Sequence, residues 1–225
     1  GWRLEIKKYP RLIEEAAYRT MEDWHKWWNE GIRTFCKKDA PGAYGGYYTQ
    51  DEVRDLVTYA AARHITVIPE IEMPGHSNEV LWAYPSLACE GKVHGQSDFC
   101  VGKDSTYQFL KDVLYEVMDL FPSSYIHIGG DETPTTRWGE CPKCKKVADE
   151  NNLKLNKLQA YFTNRVEKYI NGKGRDIVGW DEILDGDINP SATIMSWRGI
   201  EPGERGAKLG HDVIMSPTSY CYFDY

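Results

Sequence analysis

The chain has 225 residues, a hydrophobic fraction of 41% and a formal net charge of -7 at neutral pH. This length fits one large α/β domain, and the hydrophobic fraction supplies a sizeable core, which excludes a mainly disordered chain. The negative charge argues against a nucleic-acid partner, because phosphate binding needs a basic surface, and no apolar run reaches the roughly 18 residues of a membrane-spanning helix.

The aromatic content points to a further possibility. Eight tryptophans and fifteen tyrosines are many for this length, and we expect most of them to fill the core. An excess is also what a sugar-binding cleft would add, since the apolar faces of pyranose rings pack against aromatic rings.

Helical and strand-like segments alternate from residue 49 onward. Residues 2–48 show no clear strand pattern and are rich in glycine and aromatic residues, so we predict a long loop there. Thr49 is a suitable N-cap for a helix over residues 50–63, in which apolar residues recur at helical spacing. The compact apolar run over residues 65–71 predicts a strand that ends before Pro74-Gly75.

The second half of the chain continues this alternation. A helix over residues 105–120 precedes a strand at 125–128, and residues 147–171 predict one or two helices. Three further short strands are predicted at residues 177–180, 193–197 and 212–215. Apolar strands separated by helices are typical of a parallel sheet covered on both faces. A doubly wound sheet and a (β/α)8 barrel both fit, but no glycine-rich phosphate loop follows any strand, which weakens the dinucleotide-binding version.

Polar residues directly after the strands favour the barrel. A barrel gathers the carboxyl ends of all its strands into one mouth, whereas an open sheet would scatter several of them. About five strands are recognisable where a closed barrel needs eight, so we expect a truncated barrel. The residues that follow the strands are Glu70, Glu72, His76, Asp131, Glu132, Trp180, Asp181, Glu182, Trp197, Arg198, Tyr220, Tyr222 and Asp224.

The six cysteines leave the redox compartment open. Cys141 and Cys144 form a C-x-x-C motif with no second pair at zinc-finger spacing, which favours a local disulfide or two free thiols over a zinc site. Cys36, Cys89 and Cys100 lie in loop-like stretches, which permits disulfides without requiring them.

The most informative motif is HIGGDE over residues 127–132. Adjacent carboxylates usually lie in solvent, but Asp131 and Glu132 follow a buried strand and two glycines that let another group approach closely. One charge raises the pKa of its neighbour, which helps to keep a general acid protonated near neutral pH. The motif therefore predicts a pair of catalytic carboxylates.

Five motifs in order carry a resemblance to a known family: IPEIEMPGHS, HIGGDE, GWDEIL, SWRG and SPTSYCYFDY. Together they resemble glycoside hydrolase family 20, the β-N-acetylhexosaminidases, and the similarity extends from GWRLEIKKYP across the chain. The resemblance implies a (β/α)8 TIM barrel, with residues 1–225 as a single, partial catalytic domain. The first two strands would lie upstream of Gly1 and the eighth beyond Tyr225. Those strands normally bring an arginine, an aspartate and a tryptophan to the site.

The resemblance also implies a mechanism, substrate-assisted retention, in which the 2-acetamido oxygen of the substrate attacks the anomeric carbon. Glu132 would be the general acid and then the base, while Asp131 would orient the acetamido group. Trp180 and Trp197 would form walls of the pocket. Tyr222 would donate a hydrogen bond to the acetamido oxygen.

The remaining site residues are assigned through the same motifs. Asp224 would bind a sugar hydroxyl, and Glu72, His76 and His127 would form a polar network that supports Glu132. Glu72 stands where many members have aspartate, which we expect to matter little. By contrast, Asp181-Glu182 is more typical of a helix start or an outer subsite, and Arg198 of a structural role. Each of the aromatic residues could instead pack in the core or at a strand end.

The implied activity is exo-hydrolysis of terminal β-linked GlcNAc or GalNAc from a glycan or glycoconjugate. Alternatives are a lacto-N-biosidase or a poly-N-acetylglucosamine hydrolase of the same family, and the loops around Trp138 and Asp185 do not decide how many sugars the pocket accepts. A non-catalytic carbohydrate-binding barrel would not need the intact Asp131 and Glu132. A metal-dependent hydrolase would need more converging histidines than six scattered ones provide.

The resemblance implies neither a metal nor an organic cofactor, because the nucleophile comes with the substrate. Related glycan-degrading enzymes usually act outside the cytoplasm, in the periplasm, at the cell surface or in lysosomes, and we expect the same here. The oligomeric state is left open by the sequence.

Overall fold

The computed structural model describes residues 2–29, 33–89 and 97–224. Gly1 and Tyr225, at the ends of the first and last family motifs, lie outside these ranges. The helices and strands are numbered below in chain order.

The segment before residue 49 is not a long loop, so that prediction is wrong. Its strands contain two residues each, too few to show the alternation by which a strand is recognised in sequence. They pair antiparallel in the order β2-β1-β3. The elements are α1 (Arg11–Glu15), β1 (Tyr18–Arg19), α2 (Trp24–Asn29), β2 (Phe35–Cys36) and β3 (Tyr44–Gly45).

The helix predicted over residues 50–63 is confirmed as α3 (Gln50–Ala61), with Thr49 as its N-cap. The Glu52 N–H donates to Thr49 Oγ1 at 3.2 Å, and the Thr49 N–H donates to Glu52 Oε2 at 2.8 Å. This reciprocal capping box satisfies two backbone donors that the first turn of a helix otherwise leaves open.

The segment 65–71 is extended, but only Glu70 forms a ladder bridge, to His127. The Ile71 N–H donates to the His127 carbonyl, and the His127 N–H donates to the Pro69 carbonyl, both at 2.9 Å. Ile65 is 57% exposed. The predicted strand is therefore hydrogen-bonded on one side alone, because the described residues place no strand on its other side.

From residue 78 onward the helices and strands follow the prediction closely. The strands predicted at 125–128, 177–180, 193–197 and 212–215 are confirmed, and residues 147–171 contain parts of two helices. The sheet is parallel throughout, in the order β4-β5-β6-β7. The helices and strands of this part of the chain are α4 (Asn78–Ala83), α5 (Asp104–Leu120), β4 (Tyr125–His127), α6 (Pro142–Glu150), α7 (Leu158–Asn171), β5 (Asp176–Trp180), β6 (Thr193–Ser196), α8 (Ile200–Lys208), β7 (Val213–Met215) and α9 (Thr218–Cys221).

The core lies between this sheet and the helices that cover it. Ile126, Ile177 and Ile194 are fully buried on three neighbouring strands, and α5 contributes Leu110 and Val117 to the same cluster. Burial of this apolar surface is the main favourable term in folding. Five adjacent parallel segments, from 65–71 to β7, thus lie side by side with their carboxyl ends at one edge.

Trp138 is fully buried, and its Nε1 donates to the Phe99 carbonyl at 3.0 Å, so this side chain belongs to the core and not to a substrate loop. Among the described residues, none of the helices combines the length and the apolar character needed to cross a bilayer.

We predict that Thr49→Ala lowers the free energy of unfolding by about 0.5–2 kcal/mol, because it removes the acceptor for the Glu52 N–H. Thr49→Ser keeps the hydroxyl and should change stability much less. Urea denaturation of both variants measures the difference. Equal stability of the two variants would show that the capping box contributes nothing.

Candidate active site

The turn after β4 brings Asp131 and Glu132 to the carboxyl edge of the sheet. Gly129 and Gly130 adopt φ angles of 69° and 100°, which favour glycine. A side chain at Gly129 would overlap the Glu72 carboxyl group. The Trp180 N–H donates to the Gly129 carbonyl at 2.9 Å and so holds the turn against β5. The glycines are therefore required by close packing as well as by the turn.

His76 joins the two carboxylates. Its Nε2 lies 3.3 Å from Asp131 Oδ2 and 3.4 Å from Glu132 Oε2. Both His76 and Glu132 have positive φ angles, 44° and 45°, which is uncommon for residues other than glycine. Such conformations persist where the surrounding structure enforces them, and they concentrate at functional sites.

Glu72 lies on the other side of Asp131. Its Oε1 accepts a hydrogen bond from the Gly130 N–H at 2.8 Å. Burial and the neighbouring charge of Asp131 raise the pKa of Glu72 to about 10. Glu72 is therefore protonated at neutral pH, and its side-chain hydrogen bond to Asp131 has the carboxylic acid as donor.

Asp131, in contrast to Glu72, is ionised. Burial pushes its pKa upward, but the hydrogen bond and charge of His76, together with the bond from Glu72, bring the pKa below the ordinary value. The same bond to Asp131 raises the pKa of His76. Asp131 Oδ1 is buried and accepts no N–H or alcohol O–H hydrogen bond from the described residues. An ionised carboxylate with one open, buried acceptor suits a ligand N–H.

His127 and Glu70 form a second polar group, next to the glycine turn. The Gly129 N–H donates to His127 Nδ1 at 3.0 Å, and Glu70 Oε1 lies 3.3 Å from the same nitrogen. Burial lowers the pKa of His127, so the ring is neutral at neutral pH. Its ring packs edge-on against Trp180, with centroids 4.9 Å apart. His127 thus contacts Glu70 and Trp180, while His76 contacts the catalytic candidates.

The two predicted wall tryptophans are half-buried at the ends of β5 and β6. Trp180 Nε1 donates to Glu70 Oε1, and Trp197 Nε1 donates to Glu182 Oε2, each at 2.9 Å. Their ring centroids lie 6.5 Å apart at an interplanar angle of 72°. Each indole N–H is held by a carboxylate, so the rings are fixed in orientation while part of each stays accessible.

The roles of Glu70 and Glu182 as acceptors for these indoles were missed by the sequence analysis. Position directly after a strand marked both residues as candidates, but their partners lie on other strands, and no local pattern reveals such pairs. Asp181 is buried and accepts from the Trp197 N–H at 2.9 Å and the Arg198 N–H at 3.2 Å. It also forms an ion pair with the Arg198 side chain, which suits the structural role expected of Arg198. Asp181 begins the short 3-10 helix Asp181–Asp185, in line with the expected helix start.

Tyr222 and Asp224 lie near the end of the described chain. Tyr222 follows α9 and is half-buried, whereas Asp224 is exposed. Their contacts with a sugar stay predictions. A cavity of about 700 Å³ is lined in part by Glu72, His76 and Phe121.

The pair offers two different carboxylates. The Asp131 side chain is 20% exposed and hydrogen-bonded, whereas that of Glu132 is 61% exposed and can reach a ligand. His76, Asp131 and Glu132 also lie close enough to share a metal ion. The ion pair of His76 with Asp131 accounts for the same proximity. The Asp131 carboxylate can stabilise a positive charge that develops on a ligand, and Glu132 can exchange a proton with that ligand.

We predict that Glu72→Gln stabilises the protein at pH 8 by several degrees in Tm, because the amide keeps both hydrogen bonds without a titratable proton. Wild type loses stability as pH rises from 4.5 toward about 10, since folding holds the proton over this range. The difference in Tm between Glu72→Gln and wild type should vanish near pH 4. The exposed Glu14→Gln on α1 is the control, and the idea fails if both variants respond alike.

The whole chain is similar to known proteins. The family model for the glycosyl hydrolase family 20 catalytic domain matches residues 1–225. A β-hexosaminidase of Porphyromonas gingivalis is 48% identical over 228 residues, which cover 97% of this chain and 27% of that protein. A β-hexosaminidase of Vibrio furnissii is 35% identical and covers 100% of this chain and 37% of that protein.

Solved structures agree with these relatives. The β-N-acetylhexosaminidase from Bacteroides fragilis has a TM-score of 0.82 at 36% identity, over 99% of this chain and 43% of that one. The exo-β-N-acetylglucosaminidase from Vibrio harveyi in complex with N-acetylglucosamine has a TM-score of 0.83 at 32% identity, over 96% and 34%. This chain thus spans less than half of each protein, and the likeness confirms the expected (β/α)8 barrel. On the match across residues 1–225, the chain belongs to glycosyl hydrolase family 20.

Proposed function

We propose that the protein containing this chain releases terminal β-linked N-acetylhexosamine from glycans by substrate-assisted catalysis. The observation that carries the proposal is the buried carboxylate of Asp131, whose Oδ1 has no N–H partner among the described residues, beside the accessible carboxyl of Glu132. An acetamido group supplies the N–H donor that this oxygen lacks. The similarity to proteins named β-hexosaminidases supports the same substrate class.

In the first step Glu132 donates its proton to the glycosidic oxygen, and the bond from that oxygen to the anomeric carbon breaks. The acetamido carbonyl oxygen of the substrate attacks the anomeric carbon from the opposite face. The new carbon–oxygen bond closes an oxazolinium ring, and the leaving sugar departs as an alcohol.

Asp131 acts while this ring forms. Its Oδ1 accepts the acetamido N–H, which aims the carbonyl oxygen at the anomeric carbon and stabilises the positive charge on the ring. His76, whose pKa Asp131 raises, and protonated Glu72 keep Asp131 ionised. The environment of Asp131 thus favours a carboxylate at the moment when charge develops.

In the second step Glu132, now a carboxylate, removes a proton from water, and the water oxygen attacks the anomeric carbon. The ring bond to the acetamido oxygen breaks, which regenerates the acetamido group. Two inversions give net retention. Trp180 and Trp197 enclose the sugar, Tyr222 donates to the acetamido oxygen, and Asp224 binds a sugar hydroxyl.

We predict that the full-length protein prefers p-nitrophenyl N-acetyl-β-glucosaminide over the plain β-glucoside by a large factor, since only the former carries the nucleophile. Asp131→Asn and Glu132→Gln should each reduce kcat/KM by roughly 10²-fold or more. Equal turnover of both glycosides would contradict the acetamido mechanism. Turnover of a disaccharide glycoside alone would indicate a lacto-N-biosidase.

A second prediction separates the two carboxylates. For Glu132→Gln, the loss in kcat/KM should be roughly 10²–10⁴-fold for a disaccharide but far smaller for a 2,4-dinitrophenyl glycoside, whose leaving group needs no proton. For Asp131→Asn, the loss should be similar for both, because the acetamido group attacks in each case. Matching losses in Glu132→Gln would remove the general-acid role from Glu132.

A further inference from the structure

Four cysteines from distant parts of the chain converge in the core. Cys144 Sγ lies 3.6 Å from both Cys89 Sγ and Cys100 Sγ, and Cys100 Sγ lies 3.8 Å from Cys141 Sγ. All four sulfur atoms lie within 4.8 Å of one another, and all four residues are buried. The C-x-x-C motif has no second cysteine pair at zinc-finger spacing in the sequence. The fold brings Cys89 and Cys100 to it.

The spacing fits one tetrahedral metal ion. Zinc–sulfur bonds of about 2.3 Å at tetrahedral angles separate neighbouring sulfurs by about 3.8 Å. A disulfide holds its sulfurs at about 2.0 Å. The three separations given above are close to three edges of such a tetrahedron and exceed a covalent bond.

The local backbone favours thiolates at this place. Cys141 is the N-cap of α6, and Cys144 lies in its first turn, where the helix dipole stabilises negative charge. The Gly102 N–H donates to the Cys100 sulfur, the kind of outer bond that supports a metal ligand. The Lys103 ammonium donates to the Ala88 carbonyl at 2.6 Å, next to Cys89.

Close packing holds the two halves of the cluster together. A side chain at Gly102 would overlap the backbone of Lys143, which lies between the two cysteines of the motif. The Cys100 N–H donates to the Leu87 carbonyl at 2.9 Å, and Thr106 Oγ1 donates to the Cys100 carbonyl at 2.9 Å. The ligand positions are therefore built by the fold and do not depend on flexible side chains.

We propose that Cys89, Cys100, Cys141 and Cys144 bind one zinc ion as a structural tetrathiolate site. Four soft thiolates fill the tetrahedral shell and leave no position for a substrate, which is typical of a structural site. Binding releases up to four thiol protons and involves no oxidation. The proposed zinc site does not depend on the proposed hydrolase activity.

The site would join two segments that flank the catalytic candidates. Cys89 and Cys100 follow His76 along one segment, while Cys141 and Cys144 follow Glu132 along the next. A zinc ion would fix these segments to each other. We therefore expect zinc to contribute to the stability of the fold around the pair, since the energy of structural zinc binding is folding energy.

The test measures metal, thiols and stability in the full-length protein purified under reducing conditions without chelator. Elemental analysis and native mass spectrometry should find about one zinc per chain at this site. Cys89→Ser/Cys144→Ser should lose that zinc and lower Tm by several degrees. The matched control Cys36→Ser/Cys221→Ser removes two cysteines outside the cluster and should keep both zinc and Tm.

A second measurement covers variants that fail to fold. Wild type reconstituted with cobalt should show the intense charge-transfer absorption of a tetrahedral cobalt thiolate. Absence of that band would overturn the proposal, as would a denatured mass about 4 Da lower, which indicates two disulfides. Iron in place of zinc, or zinc retained by the Cys89→Ser/Cys144→Ser variant, would also overturn it. None of these readouts uses glycosidase activity, so the two proposals can fail separately.

Discussion

The site depends on a carboxylate held ionised at the end of β4. Asp131 is largely removed from solvent, and an unpaired charge there would be costly. His76 on one side and protonated Glu72 on the other make the charged form favourable. Because the two supporting groups come from one loop, the position of that loop relative to β4 determines whether Asp131 can act at all.

The strand register places this loop. The Ile71 N–H bonds the His127 carbonyl and the Met73 N–H bonds the Ile128 carbonyl, so the segment carrying Glu72 advances in parallel with β4. Gly129 in the following turn leaves room for the Glu72 carboxyl group, which a side chain at that position would overlap. Main-chain hydrogen bonds, and not the charged groups themselves, bring the charges together. The hydrogen bonds of Trp180 to Glu70 and of Trp197 to Glu182 likewise join residues from neighbouring strand ends along this edge.

The cysteine cluster and the catalytic candidates share those two segments. The contacts of His76 with Asp131 and Glu132 join the two segments at the candidate site. The cysteine cluster joins them farther along the chain. A reactive site needs groups whose conformations are strained or whose charges are buried, and such features lower stability locally. The proposed zinc ion would cross-link the same segments and offset this cost without entering the site. If both proposals hold, the residues that take part in the reaction are separate from those that hold their supporting segments together.

The sequence by itself determined the alternation of strands and helices, the HIGGDE turn and the family, because these depend on neighbours along the chain. It missed the short strands before residue 49, which are too brief to carry a pattern. Only the tertiary structure decided that Glu72 is protonated, that His127 faces Glu70, and that Cys89 and Cys100 meet the C-x-x-C motif. Each of these depends on the distance between residues far apart in sequence, and periodicity contains no information about such distances.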